Sequence, residues 1–165
     1  MRVGRVICRS AVTLGVLTAT IIGLVDAQTQ IGTGDVVADR QRLMKLNGAS
    51  LGDINAKLKA GQIEAIAVNA ETIALNARHI PTLFPPGSLT DKSKAQPTIW
   101  EKWADFQANA RNLEAQAEKL RDAARSKDAA ATEALAIDFG KQTCGKCHTP
   151  QADGKTFGPL FRSLM

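Results

Sequence analysis

The chain has 165 residues, 44% of them apolar and 22% charged, with 21 Lys and Arg against 16 Asp and Glu. Three of those arginines and one aspartate (Arg2, Arg5, Arg9 and Asp26) fall in the first 27 residues, which leaves 18 basic and 15 acidic side chains, a net of +3. So mild a charge excludes a nucleic-acid binder and a polybasic membrane protein, and residues 28–165 are enough for one domain with a real core.

Arg2, Arg5 and Arg9 precede an apolar stretch from Ala11 to Val25, and Val25-Asp26-Ala27 offers short residues for cleavage. This is the form of a secretory signal peptide, predicting export to the periplasm with residues 1–27 removed. An uncleaved anchor is the alternative, although the stretch is short for a membrane span. Cys8 leaves with the signal, so Cys144 and Cys147 are the only thiols of the mature domain and no disulfide framework is expected.

Asp35 is a candidate N-cap for a first helix that ends at Gly61. Val37, Met44, Leu51 and Leu58 recur every seven residues and give it one apolar stripe. Gly48 and Gly52 interrupt that helix and would let a flat group or another backbone approach. A second helix is expected from Gln62 to Ile80, with Ile63, Ile66, Ala70, Ile73, Ala77 and Ile80 at helical spacing, stopped by Pro81. Residues 81–97, with Pro85, Pro86 and Gly87, read as a long loop. The third helix, Thr98 to about Arg125, carries the strongest periodic pattern: Ile99, Trp103, Phe106, Ala110, Leu113, Ala117, Leu120 and Ala124. A fourth starts near Asp128 and runs into residues 144–148. Nothing alternates as a strand would, so the expected fold is all-α, an antiparallel four-helix bundle.

Cys144-Gly145-Lys146-Cys147-His148 is a Cys-x-x-Cys-His run. On one helical turn the two thiols lie at i and i+3 and the imidazole at i+4, all on one face. That is what a covalently attached haem c needs: two thioether donors and a proximal iron ligand, His148. A zinc knuckle would require four donors, yet the chain has two histidines and no second cysteine pair. A thioredoxin-like redox pair would follow a strand, and none is visible upstream.

A haem attachment near the C-terminus of a helical chain resembles the class II c-type cytochromes, cytochrome c′ and its low-spin relatives of the cytochrome c-556 type. Arg40-Gln41-Arg42-Leu43-Met44-Lys45 is similar to the family's first-helix motif, Ile80-Pro81-Thr82-Leu83-Phe84-Pro85 to the end of its second helix, and Pro97-Thr98-Ile99-Trp100 to the start of its third. Gly140, the haem run and Phe161-Arg162 resemble its C-terminal signature. Cytochrome c′ is itself a type example of the four-helix bundle, so the two fold expectations are not independent.

The resemblance implies Met44 as the distal iron ligand and Arg40, one turn earlier, as partner of a haem propionate. From the residues alone, Met44 reads first as core packing rather than as a ligand, and the alternative for Arg40 is a solvated surface charge. His79 reads as a partner of the last carbonyls of its helix, Trp100 and Phe106 as core, and Met165 reaches the haem only if the tail folds back. Residues 149–160 separate the haem run from Phe161-Arg162 by more than the family usually allows, and Gly158-Pro159-Leu160 resembles the segment after the haem run in class I cytochromes. Pro150 should end the last helix early, and the Pro159 carbonyl is expected to accept the His148 Nδ1 proton. Two functions follow: a soluble electron carrier with acidic redox partners, or a five-coordinate protein that binds nitric oxide or carbon monoxide. No His, Asp or Glu stands on the Met44 stripe to support catalysis. Homodimerisation through the first two helices occurs in the cytochrome c′ relatives, and the Ala-rich faces here do not decide it.

Overall fold

The computed structural model describes residues 32–160. The expected signal segment, Phe161, Arg162 and Met165 lie outside them. Asp35 caps α1 (Val36–Lys59) as expected, its Oδ1 accepting from the N–H groups of Val37 and Ala38 at 2.9 and 3.1 Å. Gly61 closes that helix with φ +68°, its N–H bonded to the Leu58 carbonyl and that of Gln62 to Lys57. This is a Schellman cap, and it uses the residues with which the second helix was expected to start. A turn over Ile63–Ala65 follows, and α2 spans Ile66–His79.

Pro81 ends α2 and starts a short 3-10 turn, Pro81–Leu83. The third expected helix is divided at Lys102 (φ −121°, ψ 47°) into α3 (Thr98–Glu101) and α4 (Trp103–Arg125). The fourth is divided twice: α5 (Ala129–Ile137), α6 (Phe139–Gln142) and α7 (Gly145–His148) are separated by Asp138 and Thr143. Gly140 weakens this stretch, and the Thr143 hydroxyl donates to the Phe139 carbonyl at 2.5 Å, a local bond that competes with helix continuity. Pro150 acts as expected, because Thr149 before it is extended (φ −117°, ψ 152°) and α7 stops at His148.

α2 packs most extensively on α4, and the pairs α1–α2, α4–α5 and α1–α5 complete a closed ring of four helices. That ring is the four-helix bundle, and no strand occurs among the described residues. Alanines at the α2–α4 seam (Ala70, Ala74, Ala77, Ala110, Ala117 and Ala124) are all buried, which lets the two axes approach, while Ile54, Ile66, Ile73, Ile99 and Leu120 fill the centre. Every α4 residue of the expected stripe from Phe106 to Ala124 is buried. No other backbone approaches Gly48 or Gly52: among the described residues nothing of the chain lies within 4 Å of where their Cβ atoms would be. The close approach occurs instead at Gly140, where a Cβ would come within 3.0 Å of Leu51 Cδ2.

Leu120 is fully buried, so Leu120→Ala should destabilise the haem-loaded protein by about 2–5 kcal/mol, whereas Asp35→Ala, which removes a cap, should cost about 1 kcal/mol. Denaturant unfolding with a common slope for both variants checks the order.

Candidate functional site

Cys144, Cys147 and His148 are brought together by one turn of backbone. The N–H groups of Cys147 and His148 both donate to the Cys144 carbonyl at 3.1 Å, and Thr149 Oγ1 donates to the Gly145 carbonyl at 2.6 Å. Both cysteines are free and half-buried. Burial pushes the Cys144 thiol up, against a bond from Thr143, and pushes Cys147 up to about 12, with Cys144 adding to the shift and Asn109 opposing it. A pair of thiolates would be costly here, while two uncharged thioethers fit the same surroundings. No three His, Cys, Asp or Glu side chains converge as a metal cluster among the described residues.

His148 Nδ1–H donates to the Pro159 carbonyl at 2.7 Å, as expected from the sequence. That bond fixes the tautomer and puts the imidazole lone pair on Nε2, the atom suited to iron. The N–H groups of Phe157 and Gly158 bond the Cys147 carbonyl at 3.1 and 3.2 Å, so the tail returns onto the turn it left.

Met44 is half-buried and packs against the core. It stands one heptad before Leu51, on the stripe that meets Gly140, four residues before Cys144. The stripe thus touches α6, the short helix that leads into the motif, at Gly140. Arg40 is 4% exposed rather than a solvated charge. Its Nη1 donates to Ser88 Oγ at 3.0 Å, its Nη2 to the Ser88 carbonyl at 2.7 Å and Ser93 Oγ at 2.5 Å, and its guanidinium lies 4.7 Å from the centre of the Phe84 ring. Among the described residues it makes no ion pair, and burial lowers its pKa, partly offset by Asp35. His79 is exposed in the last turn of α2. Trp100 donates from Nε1 to the Phe84 carbonyl at 3.1 Å, and Phe106 is core.

Sequence reasoning missed Ser88, Ser93, Asn109 and Phe157. The serines lie in a loop without periodicity, and only the run of turn residues around Ser88 hinted at a bend there. Phe157, a single aromatic in a polar tail, was the one signal that the tail could be anchored.

A family model described as Cytochrome C′ matches residues 35–150. The chain belongs to the cytochrome c′ family. A cytochrome c-556 of Agrobacterium tumefaciens (strain II Chrys) is 38% identical over 116 residues, covering 68% of this chain and 92% of that protein. Among solved structures, cytochrome c prime from Shewanella frigidimarina matches with a TM-score of 0.64 and 25% identity, covering 76% of this chain and 95% of that one. A nitrosyl complex of a cytochrome c prime variant from Alcaligenes xylosoxidans matches at 0.61 and 28%, covering 72% and 94%. This cytochrome is a class II c-type protein with covalent haem c, and Cys144 and Cys147 fit its attachment.

Replacing both cysteines by serine should abolish haem that survives denaturing electrophoresis. Cys144→Ser or Cys147→Ser alone should leave one unsaturated vinyl group and move the pyridine haemochrome band to longer wavelength.

Proposed function

We propose that this cytochrome is an exported, periplasmic one-electron carrier in which His148 and Met44 would both hold the haem iron. The observation that carries the reading is the position of Met44: half-buried, on the α1 stripe that meets Gly140 just before the haem turn. Bound haem c supplies a ferric–ferrous couple. A thioether donor from Met44 would raise its potential. Cys144 and Cys147 keep the ring fixed, and His148, with its proton held on Nδ1, offers Nε2.

Arg40 fits the role of propionate partner. A guanidinium buried against neutral acceptors gains from an added anion, and its planar fork suits a carboxylate. The remaining net charge of +3 biases docking towards acidic redox proteins. No helix among the described residues is long and apolar enough to cross a membrane.

A second reading, a five-coordinate iron that binds nitric oxide or carbon monoxide, is favoured by the solved cytochrome c prime neighbours, one of them a nitrosyl complex. Optical spectra of the ferric and ferrous protein, with and without carbon monoxide, separate the two. The carrier gives a low-spin spectrum with a sulfur-to-iron charge-transfer band and ignores carbon monoxide until Met44 is changed to Ala. A high-spin spectrum that shifts at once with the gas, and identically in Met44→Ala, rejects Met44 ligation and makes the protein a gas binder.

A further inference from the structure

The segment after the haem turn is built as a unit, and from Gln151 on it lies beyond residues 35–150, which the family match covers. Phe157 is 2% exposed and packs in the core at a tilt to Phe106, with ring centres 5.8 Å apart. Its carbonyl accepts from the Gln96 N–H at 3.1 Å, tying the tail to the loop before α3. Lys102 reaches Asp153 at 2.5 Å and Lys155 reaches Glu101 at 2.9 Å, so two ion pairs fasten the same segment to the α3–α4 junction. From this anchored base the chain runs across His148. The N–H of Gly158 bonds the Cys147 carbonyl, and the Pro159 carbonyl takes the Nδ1 proton at 2.7 Å. Gly158 lies against the ring between them: a Cβ there would stand 3.0 Å from Cε1 and 3.2 Å from Nδ1. The requirement for glycine is one of space, since no positive φ is involved.

We propose that Phe157-Gly158-Pro159 is a proximal clamp that positions His148 and sets its donor strength towards iron. The proposal rests on His148 as the iron ligand. An imidazole whose N–H is held by a carbonyl is the stronger donor through its other nitrogen, and a stronger donor favours ferric over ferrous iron. The carbonyl belongs to a segment anchored in the core, so the bond acts at a fixed angle and the ring cannot turn. The clamp therefore lowers the reduction potential and opposes the rise that a Met44 thioether would bring. Asp153 and Lys155 are positioning residues for the same segment, at the exposed end where single ion pairs contribute little.

The test uses the haem-loaded protein in two forms, Gly158→Ala and a chain ending at Phe157, which keeps the core anchor. Each is compared with the parent by redox titration. The ferrous iron–histidine stretch is then read by resonance Raman in a Met44→Ala background, which is five-coordinate whichever way Met44 is used. The expected result is a more positive potential and a lower iron–histidine frequency in both forms, with helical circular dichroism unchanged. An unchanged potential and frequency in both overturns the clamp. Absence of any iron–histidine band in the Met44→Ala parent rejects His148 as ligand, and that failure is distinct from failure of the clamp.

Discussion

Two cysteines and a histidine can serve one flat ring only from a single helical turn, and here that turn belongs to a helix of four residues, Gly145–His148. A helix so short has no stability of its own, because nucleation costs more than its few bonds return. The turn is held from outside. α6 leads into it with Gly140 against Leu51 of α1, the Cys147 carbonyl accepts two N–H groups from the returning tail, and Thr149 Oγ1 closes back on Gly145.

Among these supports the apolar one dominates. Burying Phe157 beside Phe106 is worth roughly 1.5–3 kcal/mol, whereas the Lys102–Asp153 and Lys155–Glu101 pairs are exposed on both sides and contribute little. The polar bonds of the tail then act as registration: with Phe157 fixed, Gly158 and Pro159 arrive at His148 in only one arrangement. Placement of His148 thus depends on a core residue ten positions downstream of Cys147, and α7 acts as a bracket between the bundle and the tail.

The parts of this fold that the sequence reveals are those fixed by local periodicity and chemistry. Asp35 caps α1 because an aspartate before an apolar repeat meets free N–H groups wherever it occurs, and the α4 stripe from Phe106 to Ala124 buries as its spacing requires. The haem run is legible because three residue types at fixed offsets serve few other purposes. The interruptions at Lys102, Asp138 and Thr143 are not legible, since the apolar spacing continues through them and a local bond such as that of the Thr143 hydroxyl to Phe139 leaves no periodic mark. Gly48 and Gly52 show the reverse for packing within the chain: glycines on a helix suggest close approach, but only the partner element decides which glycine the chain itself approaches, and that is Gly140. The burial of Arg40 is not legible from the residues alone, because it depends on the loop that covers it, residues 83–93.

Arg40 also shows how the two ends of the site are joined. Its cation is removed from water, at a cost of several kcal/mol, against neutral hydroxyl and carbonyl acceptors and the Phe84 ring, which together return only part of it. Such an arrangement is stable where a further anion lies within reach, and it fastens the loop bearing Ser88 and Ser93 to α1 one turn from Met44. The aromatic contacts then run from Phe84 through Phe106 to Phe157, with ring centres 5.0 and 5.8 Å apart. The Arg40 loop on one side and the His148 clamp on the other are therefore seated on the same three rings. A change in the packing of Phe106 bears on both at once, which makes that ring the mechanical link between the α1 side of the site and its proximal turn.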